Sequence, residues 1–150
     1  MASLCADLSE CYLAGMVPSW QVKEERQRVA QQVFETCQDF NPDLPLILSP
    51  NDSHGEHAIV GAESEAVLRG RVPHVWRCLF PWNCCKGDNP NLYVRLEEGD
   101  IAVKAAVIDC YQSQRFRYNY RDMLLSYALA DGLSVKVLAA EKFEIVRSVL

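Results

Sequence analysis

The stretch that decides the fold runs Asn41-Pro42-Asp43-Leu44-Pro45-Leu46-Ile47-Leu48-Ser49-Pro50-Asn51-Asp52-Ser53-His54-Gly55-Glu56-His57. Its apolar run, Leu44 to Leu48, is short and bounded by Pro42 and Ser49-Pro50, which suits a strand buried on both faces of a parallel sheet. Pro45 pushes the reading toward a strand start. The polar loop Ser49–His57 follows, and Ala58 to Leu68 then repeats apolar residues at helical spacing as far as Gly70. Strand, loop and helix in that order predict a βαβ-type arrangement.

Upstream, Val22, Val29, Ala30, Val33, Phe34 and Cys37 fall at three- and four-residue steps. They predict an amphipathic helix over 22–37, with Ser19 as N-cap and Asn41-Pro42 closing it. Downstream, Val75 to Phe80 reads as a second strand, Pro81 to Pro90 as a turn-rich connection and Leu92 to Leu96 as a third strand. Asp100 caps a helix reaching about Tyr111. Another spans Asn119 to Ala130 and is stopped by Asp131-Gly132, and Lys142 to Arg147 alternates as a terminal strand. The expected class is α/β, a Rossmann-like, mostly parallel sheet with flanking helices in one domain spanning 1–150.

Composition narrows the function. A chain of 150 residues with 49% hydrophobic and 23% charged residues has the make-up of one globular domain. No apolar run approaches the roughly 20 residues of a membrane span. The opening MASLCADLSE has no basic-then-apolar leader, so a cytoplasmic protein is expected. A net charge of −5, with Arg115, Arg117 and Arg121 as its richest basic stretch, argues against nucleic acid as a partner. Seven scattered cysteines, an odd count, predict reduced thiols rather than a disulfide framework. Cys78, Cys84 and Cys85 are poorly spaced for a metal knuckle, because adjacent cysteines make poor co-ligands. Trp20, Trp76 and Trp82 read as core or interface residues, with Trp82 the best placed of them to form a substrate wall.

Ligands of doubly wound sheets sit beyond the carboxyl ends of strands, where the 49–57 loop gathers Asp52, His54, Glu56 and His57. Imidazole suits zinc, and carboxylates orient it from behind. The same residues also admit a plainer role. Asp52 and Ser53 read as caps of the following helix, with Glu56 completing a capping box from Ser53.

The P-D strand and its N-D-S-H-G-E-H loop resemble the PIG-L/LmbE-like N-acetylglucosaminyl deacetylases, whose loop takes the form N-D-x-H-x-D-H. Leu13-Ala14-Gly15 is similar to the lead into that family's first helix. Asp100-Ile101, Lys104-Ala105-Ala106 and Tyr111-Gln112-Ser113-Gln114 are similar to its helix ending in S-Q, and Ala140-Glu141-Lys142-Phe143-Glu144-Ile145-Val146 to its closing strand. Tyr111, Ser113 and Gln114 themselves read as helix-end packing. The resemblance implies a zinc-dependent amide hydrolase acting on an N-acetylated amino-sugar conjugate. His57 would be a metal ligand, His54 would stabilise the oxyanion, and Asp52 would lie at the loop edge. Glu56 stands where the family more often has aspartate, and Gly55 where it has proline.

The family's A-H-P-D-D-E segment, which brings two further ligands and the general base, has no counterpart. The three histidines are His54, His57 and His74. The resemblance therefore implies an N-terminally truncated, partial domain, weak or inactive in this form. A second copy or a complementing chain would cover the exposed sheet. The alternative is a catalytically dead α/β module that binds a sugar or a protein.

Overall fold

A computed structural model describes residues 17–80, 83, 87–110 and 119–149. The described residues form two compact units. One takes in the residues up to Leu92 together with those from Phe143, and the other lies within Tyr93–Lys142.

The first unit holds α1 (Arg26–Phe40), β1 (Leu46–Leu48), α2 (Gly55–Leu68) and β2 (His74–Cys78). Helix α1 begins later than its periodicity predicts. Ser19 is not its cap, because Ser19–Gln21 closes into a separate 3-10 turn with Gln21 N–H donating to the Pro18 carbonyl. Its end is as expected. Asn41 turns left-handed (φ 42°) and donates to the Cys37 carbonyl, and Pro42 cannot continue the helix. Val33 and Cys37, four residues apart, pack on the buried cluster Ile47, Leu68, Val72 and Val75. Burying each of those four side chains contributes about 2 kcal/mol.

Strand β1 starts only after Pro45, whose carbonyl accepts from Trp76 N–H. It runs parallel to β2, with Leu46 opposite Trp76 and Leu48 opposite Cys78. The expectation of burial on both faces is corrected here. Ile47 is buried but Leu46 is 47% exposed, because β1 is an edge strand. Helix α2 starts at Gly55, earlier than its apolar pattern, and Gly70 just beyond its end takes φ +76°, a conformation that favours glycine.

The second unit holds α3 (Glu98–Asp109) and α4 (Tyr120–Ser134) around Leu96, Ala128 and Ala139. Helix α3 is capped by Glu97, with Asp100 returning the bond from the third helical position, so Asp100 completes the cap rather than providing it. Helix α4 does not stop at Asp131-Gly132. Gly132 is there for close approach, since a Cβ would stand 2.6 Å from Ala139 Cα.

Strands β3 (Leu92–Arg95) and β4 (Ala140–Ser148) complete a four-stranded sheet in the order β1-β2-β4-β3. The α/β class holds, and the mostly parallel sheet holds only in part, for the β1–β2 pair. Strand β4 runs antiparallel to β2, pairing Trp76 with Ile145 and Cys78 with Phe143. Alternating patterns carry side-chain period and not strand direction, so the sequence could not separate the two. Cys5, Cys11, Leu13-Ala14-Gly15, Trp82, Cys84, Cys85, Tyr111, Ser113, Gln114, Arg115 and Arg117 lie outside the described residues.

Candidate functional site: a carboxylate-oriented histidine

The site begins where β1 ends. Ser49, 1% exposed, opens a tight turn in which its carbonyl accepts from Asp52 N–H and its hydroxyl from Asn51 N–H. Pro50 occupies the second position of that turn, where its fixed φ fits. The turn delivers the Asp52 side chain inward, 1% exposed. Asp52, expected at the loop edge, has its carboxylate buried behind His57.

Three donors converge on that carboxylate. The backbone N–H of His54 donates to Oδ1 at 2.7 Å, Asn83 Nδ2 donates to Oδ2 at 2.8 Å, and His57 Nδ1 lies 3.0 Å from Oδ2. A carboxylate only accepts, so Nδ1 of His57 carries the hydrogen, and in the neutral ring the other nitrogen, Nε2, keeps a lone pair. Glu56 Oε2 stands 2.7 Å from His54 Nδ1, giving a second imidazole–carboxylate pair. The two imidazoles stack with centroids 4.5 Å apart at 30°, and Phe80 tilts against His57 at 6.0 Å. The capping box from Ser53 does not form. The helix starts one residue too late for it, with His54 as N-cap and no side-chain cap bond.

Burial by itself pushes the Asp52 carboxyl up. The bonds from His54 N–H, Asn83 and His57, with the charge of a protonated His57, outweigh it and hold the carboxyl below its ordinary 3.8. A lowered native pKa adds stability that is complete above the unfolded value and is lost as pH falls through the native one. The stability gap between wild type and Asp52→Asn is therefore expected to be constant down to about pH 5 and to close below about pH 4. Denaturant titrations across that range check it, and a gap that widens on acidification contradicts it.

His57 meets one requirement of a zinc ligand, since metal-bound histidines place a carboxylate behind the ring. The rest of a zinc site is not met. No group of three His, Cys, Asp or Glu side chains able to hold a metal occurs among the described residues. His74 sits 3.0 Å from Ser148 Oγ at the start of β2. Among the described residues, one histidine with a carboxylate behind it falls short of the three protein ligands a catalytic zinc takes.

The structure brings Asp52, His54, Glu56 and His57 together, as their closeness in sequence suggests, and adds Asn83 and Phe80, which no sequence signal marked. Asn83 reaches Asp52 across 31 residues, and Asn51 donates to Asp88 Oδ1 across 37. Nothing periodic marks those partners. Trp20, read as core or interface, is 75% exposed, and Trp76 packs on Phe143 at 5.8 Å.

Fold and loop together define an α/β domain with a carboxylate-oriented histidine beyond a strand end. No family model matches the chain, and no curated protein matches it. Among solved structures it is similar to the crystal structure of the conserved protein TT1542 from Thermus thermophilus, with a TM-score of 0.65 at 19% identity. The match covers 87% of this chain and 61% of that one, so this chain spans about three-fifths of its neighbour's length. At that identity the likeness shows the fold alone. No helix among the described residues is long and apolar enough to cross a membrane.

Proposed function

We propose that the chain is a domain of the PIG-L/LmbE-like N-acetylglucosaminyl deacetylase type, in which the 52–57 loop carries the surviving chemistry. By itself it hydrolyses the N-acetyl group of an N-acetylglucosamine conjugate weakly or not at all. The observation that carries this reading is the Asp52–His57 pair beyond the end of β1, with His57 Nδ1 3.0 Å from Asp52 Oδ2.

Zinc, when bound, supplies an acidified water for attack on an amide carbonyl. His57 would hold it through Nε2, Asp52 fixing the ring from behind, while His54, backed by Glu56, would face the oxyanion. Two ligands and a base are missing from this set, which is why activity is expected to be low. A complementing chain is the partner that would supply them, whereas a second copy of this chain would only cover the exposed sheet. Free thiols at Cys37 and Cys110 support a reducing, cytoplasmic setting. A sugar- or protein-binding module is the second reading, favoured by the 55% exposure of the His54 side chain, because a water-excluded site is where such donors act strongly.

Acetate release from N-acetylglucosamine conjugates, measured on the zinc-supplemented chain, is expected to stay near the enzyme-free rate. Robust turnover that disappears in His57→Ala would keep the site and overturn the low-activity reading. Robust turnover indifferent to His57 would overturn both.

A further inference from the structure

Asp88 is held in an unfavourable place. Its side chain is 3% exposed, and Oδ2 has no hydrogen-bond partner among the described residues. The cation beside it, Arg77, stands 3.9 Å away and is already bonded to Glu65 at 2.6 Å and Glu144 at 2.8 Å. One guanidinium therefore faces three carboxylates, and Asp88 is the least well matched of them. A buried carboxylate with an unmatched oxygen lowers stability, so its presence asks for another reason.

Its other oxygen has one strong bond. Oδ1 accepts from the Asn51 amide at 2.7 Å. Asn51 lies in the Ser49–Asp52 turn, immediately before the carboxylate that orients His57. Gly87, at φ +95°, adopts a backbone conformation that side chains resist, and a Cβ there would lie 3.9 Å from the same amide. The approach of the 87–88 segment to the turn is thus built at two adjacent positions.

We propose that Asp88 is a positioning residue for the Asp52–His57 site, acting through Asn51. The inference rests on reading that loop as a functional site. Asp88 clasps the turn from outside, so that Asp52 meets His57 without first having to be ordered. The cost to fold stability is accepted where a site needs a fixed geometry.

Backbone amide exchange at Asp52 and His54, read by NMR in the full chain, tests this without any metal. Asp88→Ala and Asn51→Ala are each expected to speed exchange at both amides about tenfold, the effect of losing one hydrogen bond to a charged group. The double variant should go no further, because both changes break the same bond. Asp88→Asn should behave as wild type at these amides, since its side-chain oxygen still accepts from Asn51. The melting temperature of Asp88→Ala should not fall, because the variant also removes the unmatched buried carboxylate.

Wild-type exchange in Asp88→Ala, additive effects in the double variant, or a lowered melting temperature with faster exchange throughout α1 would each overturn the proposal. If Asp88→Ala does not fold, Asn51→Ala and Asp88→Asn still decide it. Exchange accelerated in Asn51→Ala and unchanged in Asp88→Asn supports the clasp, and any other pair of results sinks it. Zinc titration of the same proteins separates the two readings. A wild type that binds no zinc removes the metal-site reading and leaves the exchange result standing.

Discussion

Gly61→Ala is expected to destabilise the fold by about 2 kcal/mol or more and to disturb the site loop with it. A Cβ at this position would lie 2.6 Å from the Leu48 carbonyl oxygen, 2.8 Å from Ser49 C and 2.9 Å from Pro50 N. All three are backbone atoms, so no rotamer change relieves the clash. Alanine gains about 1 kcal/mol of helix propensity over glycine. Overpacking a well-filled contact costs roughly 1–3 kcal/mol and sometimes more. A contact this close against main chain belongs at the upper end, so the clash wins. The strain falls on residues 48–50, the hinge from β1 into the Asp52 turn, and the site should therefore loosen as the fold weakens. Urea unfolding with an unchanged slope and a lower midpoint is the expected signature. Gly55→Ala is the control. Nothing lies within 4 Å of its Cβ position, and it is expected to be neutral or slightly stabilising. Equal midpoints for the two variants would contradict the tight approach of α2 to β1.

Asp52→Asn is expected to cost about 3 kcal/mol at neutral pH, the range for breaking a buried, charge-assisted network. The native carboxylate takes donors on both oxygens, from His54 N–H, Asn83 and His57. An asparagine must turn its own amide hydrogens toward one set of those donors, and a side chain 1% exposed has no water to relieve the conflict. The His57 ring loses its fixed tautomer, and zinc affinity should fall by about 10- to 100-fold. Stability by chemical denaturation and affinity by titration check the two effects separately. An Asp52→Asn protein as stable as wild type would show that the three donors do not depend on the charge.

How much of this was legible in the sequence differs between elements. The face of α1 that meets the core follows from residues 29, 33 and 37, because helical spacing is a local property. The stop at Gly70 was legible for the same reason, as a backbone preference of one residue. Gly132 shows the limit of that logic. The same residue type marks a helix end at one position and a close approach at another, and only the location of Ala139 distinguishes them. Strand direction was not legible either, since β4 carries the same alternation whether it runs with β2 or against it.

The site divides along the same line. Asp52, His54, Glu56 and His57 lie within six residues of one another, and their meeting was visible in the sequence. The inward turn of Asp52 was not. It depends on Ser49 being buried and on Asn83 arriving from a distant connection, and the sequence alone offers equal support for a helix cap at Ser53. Long-range partners such as Asn83 and Asp88 carry no period or spacing, so they emerge only once the chain is folded.

On the proposed reading, the 52–57 loop presents a metal ligand, His57, held ready by Asp52. Calorimetric titration of zinc into the metal-free chain, run beside His57→Ala, tests it most directly. The expected result is zinc bound by the wild type, weakly for want of the two missing ligands, and not by the variant. No binding to the wild type, or binding indifferent to His57, would contradict it.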